Sequence, residues 1–147
     1  MEYNEAEFLF ETQVPEDELI VSRTNLDGII TYTNSLFVEI SGFRQDELIG
    51  QSHNIVRHPD MPEAIFADLW ETIKSKKKWN GNVKNIRKDK GFYWVNATIS
   101  GVYKDGELVE YKSIRVPISE DEKMKCQKQY DKIKAQNNEK QRHIVYK

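Results

Sequence analysis

The spacing of apolar positions changes period along the chain, and each change marks an element. Between residues 61 and 76, Ile65, Phe66, Leu69, Trp70 and Ile73 recur at three- and four-residue steps and share one helix face. Asp68, Glu71, Lys74 and Lys76 take the opposite face. The helix is expected to start near Met61, with Asp60 as capping oxygen, Pro62 in the first turn and Glu63 at capping-box spacing. After the basic run Lys76-Lys77-Lys78, a solvated helix end, the pattern becomes extended. Trp79 to Arg87, Phe92 to Lys104 and Leu108 to Pro117 predict a three-stranded meander, divided by Asp89-Lys90-Gly91 and Asp105-Gly106.

Upstream, Leu19 to Asn25 and Ile29 to Thr33 predict a hairpin with Asp27-Gly28 as its two-residue turn. Asn34-Ser35 can cap a short helix bearing Leu36, Phe37 and Ile40, which Gly42 ends. Another helical turn, Gln45 to Ile49, stops at Gly50. Two strands, a helical crossover and three strands define an α+β domain, a five-stranded antiparallel sheet with helices on one face. Its concave face is left to hold something. The expected organisation is an N-terminal cap or arm over 1–18, a folded domain over 19–118 and a C-terminal signalling or dimerisation helix over 119–147. Met1 to Glu11, where acidic residues alternate with Phe8, Leu9 and Phe10, predicts a short amphipathic helix or loose arm. In the C-terminal segment Met124, Tyr130 and Ile133 form a sparse apolar pattern with no evident partner inside the domain.

Composition narrows the function. The 147 residues carry 22 basic and 24 acidic side chains, a net charge of -2, which gives no electrostatic case for nucleic acid or an anionic membrane. No apolar run approaches the roughly 20 residues that span a bilayer, and the first residues lack the basic start and apolar core of a signal peptide. A cytoplasmic protein without direct membrane insertion is expected. The single cysteine, Cys126, lies in a charged segment and suggests no chemistry. No nucleophile–base pair or cluster of metal ligands is evident, so no catalytic or metal-binding residue is assigned and no enzyme activity is expected.

Several polar residues stand where binding chemistry fits. His53 and His58 lie in an irregular segment before the long helix, and Arg57 with His58 precedes its N-terminus, a place suited to phosphate. Asn85 shares a strand face with Val83, and an amide among apolar neighbours needs a partner. On pattern alone, Trp70 reads rather as a core residue of its helix and Asp60 rather as a cap, while Asn34 is equally a cap and Ser22 one strand residue among many. Trp79 either shields a ligand or closes the sheet.

The strings DGIITYTNSLFVEISGF, ELIGQSHNIVRHPDMP, FADLW, WNGNVKNIRK, YWVNA and EYKSIR resemble the sensory PAS domain of bacterial aerotaxis receptors. The segment Asn34 to Gly42 is general to PAS domains, whereas Arg57-His58-Pro59-Asp60-Met61-Pro62 is much narrower. The resemblance covers about Leu19 to Ile118 and implies a PAS fold holding FAD, as in the similar redox sensor of nitrogen-fixation control. It implies that Trp70 covers the ring plane, that Asn85 meets the ring edge, and that Arg57, His58 and Asp60 are needed for FAD. His53 stands where blue-light flavin sensors carry a reactive cysteine, so redox state rather than a thiol adduct is the expected signal. Ser22 and Asn34 match polar positions of the family more weakly. The implied function is a redox sensor for aerotaxis and energy taxis that signals to a chemoreceptor module on the same or a separate chain, with a homodimer and membrane association through a receptor partner both open. A haem sensor using His53 or His58 as axial ligand is the alternative, and a small flavoenzyme a further one.

Overall fold

The computed structural model describes residues 10–139. The expected short helix or arm over Met1 to Glu11 falls almost wholly outside them. Strands β1 (Ile20–Thr24) and β2 (Ile30–Thr33) pair as a hairpin. Its turn is longer than the expected two residues: Asn25 Oδ1 accepts from the amides of Asp27 and Ile29 at 2.9 and 3.0 Å, and Gly28 supplies the left-handed φ of 83°. Asn34 then caps helix α1 (Ser35–Ser41) and ties it to the sheet. Its Oδ1 accepts from the amides of Phe37 and Val21, both at 3.1 Å, while its Nδ2 donates to the Leu19 carbonyl at 2.8 Å. Helix α2 (Gln45–Leu48), a 3-10 turn (His53–Val56) and helix α3 (Glu63–Lys74) complete the crossover.

The second half forms β3 (Trp79–Ile86), β4 (Phe92–Lys104) and β5 (Glu107–Val116), and the antiparallel sheet has the order β2-β1-β5-β4-β3. Register fixes its two faces, because residues opposite one another in antiparallel strands share a side. Asn85 with Tyr93, Val83 with Val95, and Ala97 with Arg115 face inward, toward the helices and buried residues such as Phe37, Leu48 and Val56. Lys84 with Trp94 and Asn82 with Asn96 face the other way.

Helix α4 (Glu120–Gln136) covers that outer face beside β3 and β4, which corrects the expectation that it lacks a partner in the domain. Cys126 and Tyr130 are buried, Tyr130 donates to the Asn82 carbonyl, and its ring lies 6.3 Å from that of Trp94. The remaining attachment is ionic, which a search for apolar periodicity cannot register. Asp60, only 1% exposed, accepts from Lys84 at 2.8 Å and from Lys134 of α4, while Gln127 bridges Lys84 at 2.8 Å and Asp60 at 3.1 Å. Asp60 is therefore not a helix cap: α3 begins at Glu63 after Pro62, with no side-chain capping bond.

Burial alone would push the Asp60 carboxyl up, but Lys84 and Lys134 overcome it and hold the group below its ordinary value. Its stabilisation is thus present above the usual carboxylate range and lost as pH falls through the lowered folded value. Replacing it strands two buried ammonium groups. Asp60→Ala is expected to destabilise the domain by about 3–5 kcal/mol, measured by urea unfolding, and to raise hydrogen exchange in residues 120–136 ahead of the sheet. Unchanged exchange in α4 would show that its apolar contacts suffice.

Candidate functional site

Between the inner sheet face and α3 lies a cavity of about 700 Å³, counting its open mouth. One wall comes from α3, whose inward stripe places Leu69, Ile73, Phe66 and Trp70 toward the sheet; the last two are only half-buried because they border the opening. Val83, Ala97 and Ile99 provide the facing surface. The Trp70 indole is set by Gly28, where a Cβ would sit 3.0 Å from its ring, and by an edge contact with Tyr111 at 6.2 Å.

The polar groups gather at one end. Ser22 from β1, His53 from the 3-10 turn, Asn85 from β3, and Ser113 and Arg115 from β5 converge there. The 3-10 turn, begun by Ser52 Oγ accepting from the Asn54 amide, presents His53 edge-on to Phe37 with its Nε2 3.0 Å from Ser22 Oγ. Asn85 is 4% exposed. With its amide oriented to satisfy both ends, Nδ2 donates to the Val56 carbonyl at 3.1 Å and Oδ1 accepts from Arg115 Nη1 at 2.8 Å. Beside it, burial pushes the Tyr93 phenol up to about 12, with Arg115 and Asn85 opposing the rise.

Of the residues singled out from sequence, Ser22, His53, Arg57, Trp70, Trp79 and Asn85 line this cavity. Arg57 is half-buried, with its guanidinium 3.9 Å above the Phe66 ring, and its backbone pairs with Asn85 across the sheet edge. Trp79 also has a structural duty: its indole lies against Gly81 and donates to Asp68 of α3 at 2.9 Å. Asn34, His58 and Asp60 are not among the lining residues. Asn34 is occupied as the α1 cap, and Asp60 faces α4 on the far side of the sheet. His58 is fully buried, its Nδ1 accepting from the Asp60 amide at 3.0 Å and its ring edge-on to Phe92. Sequence reasoning missed Arg115. Carrying the two-residue alternation of β5 from Tyr111 through Ser113 would have turned it inward.

The cavity thus pairs an apolar slot with an end that offers both donors and acceptors. That donor set fits the edge of a nitrogen heterocycle. Among the described residues no group of three or more His, Cys, Asp or Glu side chains could hold a metal, and no helix is long and apolar enough to cross a membrane.

A five-stranded antiparallel sheet whose helical crossover borders such a cavity defines an α+β domain with a candidate ligand site. Residues 30–115 match the family described as PAS fold, and the chain belongs to that family. The aerotaxis receptor of Escherichia coli (strain K12) is 40% identical over 132 residues, covering 90% of this chain and 26% of the receptor. The nitrogen fixation regulatory protein of Klebsiella pneumoniae is 30% identical over 112 residues, covering 76% of this chain and 23% of that protein. The chain spans about a quarter of the length of these relatives. A light-oxygen-voltage domain solved in work on a flavin analogue shares the fold, with a TM-score of 0.66, 19% identity, and coverage of 78% of this chain and 86% of that one.

Burial and then the nearby Arg115 push the His53 imidazolium down to about 3, so the ring is neutral at physiological pH. A depressed folded value means that stability is complete above the ordinary 6.5 and declines as pH falls toward about 3. Urea unfolding between pH 7 and 5, above most carboxylate titrations, is expected to show this decline in wild type, and His53→Gln should flatten it. An equal slope in both proteins would assign the acid sensitivity to other groups.

Proposed function

We propose that this PAS domain is a cytoplasmic redox sensor that binds FAD in the cavity and passes the flavin's redox state to a chemoreceptor signalling module in aerotaxis. The module is carried on the same chain or on a separate, membrane-associated partner. One observation carries the assignment: an apolar slot walled by Trp70, Val83, Ala97 and Ile99 ends in a cluster of neutral hydrogen-bonding groups beside a buried guanidinium. Similarity to the aerotaxis receptor supports the signalling role, and the resemblance around Arg57 to Pro62 supports FAD over other flavins.

Bound flavin would supply reversible electron storage in an aromatic ring. The residues of this chain supply the rest. Trp70 shields one side of the slot, while Asn85, Ser22 and His53 set the hydrogen-bonding pattern at its end. Arg57, at the mouth and stacked on Phe66, is placed for a phosphate of the ligand's longer arm. His58 and Asp60 serve the ligand indirectly, by fixing the segment that pairs Arg57 with the edge of β3. Neither histidine is favoured as an axial haem ligand, since Ser22 engages His53 Nε2 and His58 lies outside the cavity.

The signal has a short path outward. Asn85 and Lys84 are consecutive on β3, one facing the cavity and the other joined through Asp60 to α4. A shift of β3 or of the Arg57 segment alters both environments together.

The absorption spectrum of freshly purified protein, followed by heat release and chromatography, tests the cofactor: yellow protein releasing FAD is expected, and a Soret band or a colourless, fully occupied protein overturns the assignment. Arg57→Ala should weaken FAD binding roughly tenfold to a hundredfold, the loss of a charge-assisted contact worth about 1.5–3 kcal/mol, without lowering the unfolding midpoint of the ligand-free domain. Unaltered affinity would leave Arg57 a rim residue that stacks on Phe66 and touches no phosphate.

A further inference from the structure

The domain buries positive charge on both faces of its sheet and treats the two sides differently. On the outer face Lys84 and Lys134 share the carboxylate of Asp60. On the inner face Arg115, 6% exposed, points into the cavity. Its Nε donates to Ser113 Oγ at 3.0 Å and its Nη1 to Asn85 Oδ1 at 2.8 Å, both neutral partners. Among the described residues no carboxylate pairs with it. A guanidinium has five N–H donors and remains charged under all ordinary conditions. These two bonds leave donors to spare. An uncompensated charge out of water is costly, and a fold that neutralises one buried cluster with Asp60 leaves Arg115 to be met from inside the cavity.

The neighbouring groups sharpen the point. Ser22, Ser113 and Asn85 are neutral, and His53 is held neutral by burial and by Arg115 itself. Tyr93 is held protonated by burial. Arg115 is therefore the buried cation of the lining; the other two, Arg57, whose guanidinium stacks on Phe66, and Lys112, are only half-buried. Asn85 does not rotate freely to follow a change in the ligand, because turning its amide would aim an NH₂ at the Arg115 guanidinium and lose the bond to Val56.

We infer that Arg115 is the charge-selecting residue of the cavity: it favours the form of the bound flavin whose hydrogen-bonding edge is negatively charged, and thereby sets how readily the flavin accepts electrons. The inference rests on the flavin assignment above. An oxidised flavin ring is uncharged, whereas reduction adds electron density to the pyrimidine edge. A fixed cation there binds the reduced form more tightly than the oxidised one, and that ratio of affinities is the shift in redox potential.

Spectroelectrochemical titration of the flavin-loaded protein tests this in wild type, R115Q, R115K and Ser113→Asp. R115Q should lose at least tenfold of the preference for the reduced form, about 30 mV more negative for a two-electron couple. R115K, which keeps the charge, should stay within about threefold of wild type. Ser113→Asp retains the arginine but gives it a carboxylate. It should move the potential in the same direction as R115Q while raising the melting temperature of the ligand-free domain, and it decides the matter if R115Q does not fold. A potential unmoved in R115Q and Ser113→Asp, or moved equally in R115K and R115Q, overturns the role of charge. Those outcomes leave FAD binding intact. Wild type that retains no flavin sinks the cofactor assignment and this inference with it.

Discussion

Strand β3 runs between two enclosed environments, and that constraint governs much of the molecule. Alternation along a strand turns consecutive side chains to opposite faces, so Asn85 enters the cavity while Lys84 enters the interface with α4. On an ordinary half-exposed sheet the second of these would reach water. Here both are buried, and each needs partners from distant sequence: Val56 and Arg115 for the amide, Asp60 and Gln127 for the ammonium. The segment from Val56 to Met61 serves both faces because it wraps the free edge of β3. Arg57 pairs with Asn85 at that edge, and Met61 places its sulfur 3.4 Å from the Lys84 amide on the other side. One short, irregular stretch thereby closes the cavity and anchors the C-terminal helix.

Under the flavin binding proposed above, three nearly adjacent residues would bear on one ligand through different physical routes. Arg57 reaches the cavity mouth itself. His58 fills space and accepts the Asp60 amide, which shapes the turn. Asp60 holds the turn to Lys84 and Lys134 at a depth where losing one partner leaves the others charged and dry. Proximity in sequence is not proximity to the ligand. A change at Asp60 acts on the cavity by loosening the segment that bears Arg57 and Val56.

Much of the architecture was legible because it follows from local signals. The α3 stripe, the Asn34 cap, the Gly42 and Gly50 stops and the meander turns at Lys90 and Asp105-Gly106, where φ is positive, all lie within a few residues of their cause. Ser22, His53, Trp70 and Asn85 were recognisable through resemblance and do converge on one cavity. What escaped was non-local. Asp60 has the spacing of a helix cap and is drawn away by two lysines 24 and 74 positions later. The docking of α4 escaped because lysines and a glutamine make much of the attachment. Arg115 escaped because a charged residue near a strand end is usually solvated, and only the pairing register reveals where it points.

The chemistry of the α4 attachment bears on signalling. Cys126 and Tyr130 are its main buried apolar anchors, with Ile133 packed at their margin, and burying side chains of that size yields roughly 1.5–3 kcal/mol each. Such an interface alone is within reach of the few kcal/mol by which a ligand can bias two states. The ionic cluster changes the shape of the response rather than adding a simple increment. Asp60 is either matched to both lysines or it is not, so intermediate separations, with charges neither paired nor hydrated, are disfavoured. A helix fastened by apolar contact can slide by degrees; one fastened through a dry carboxylate tends to be docked or released. Because the segment bearing that carboxylate also bears Arg57 and closes on Asn85, in the sensor role proposed above a graded change at the cavity would reach the opposite face as a nearly two-state change at Asp60.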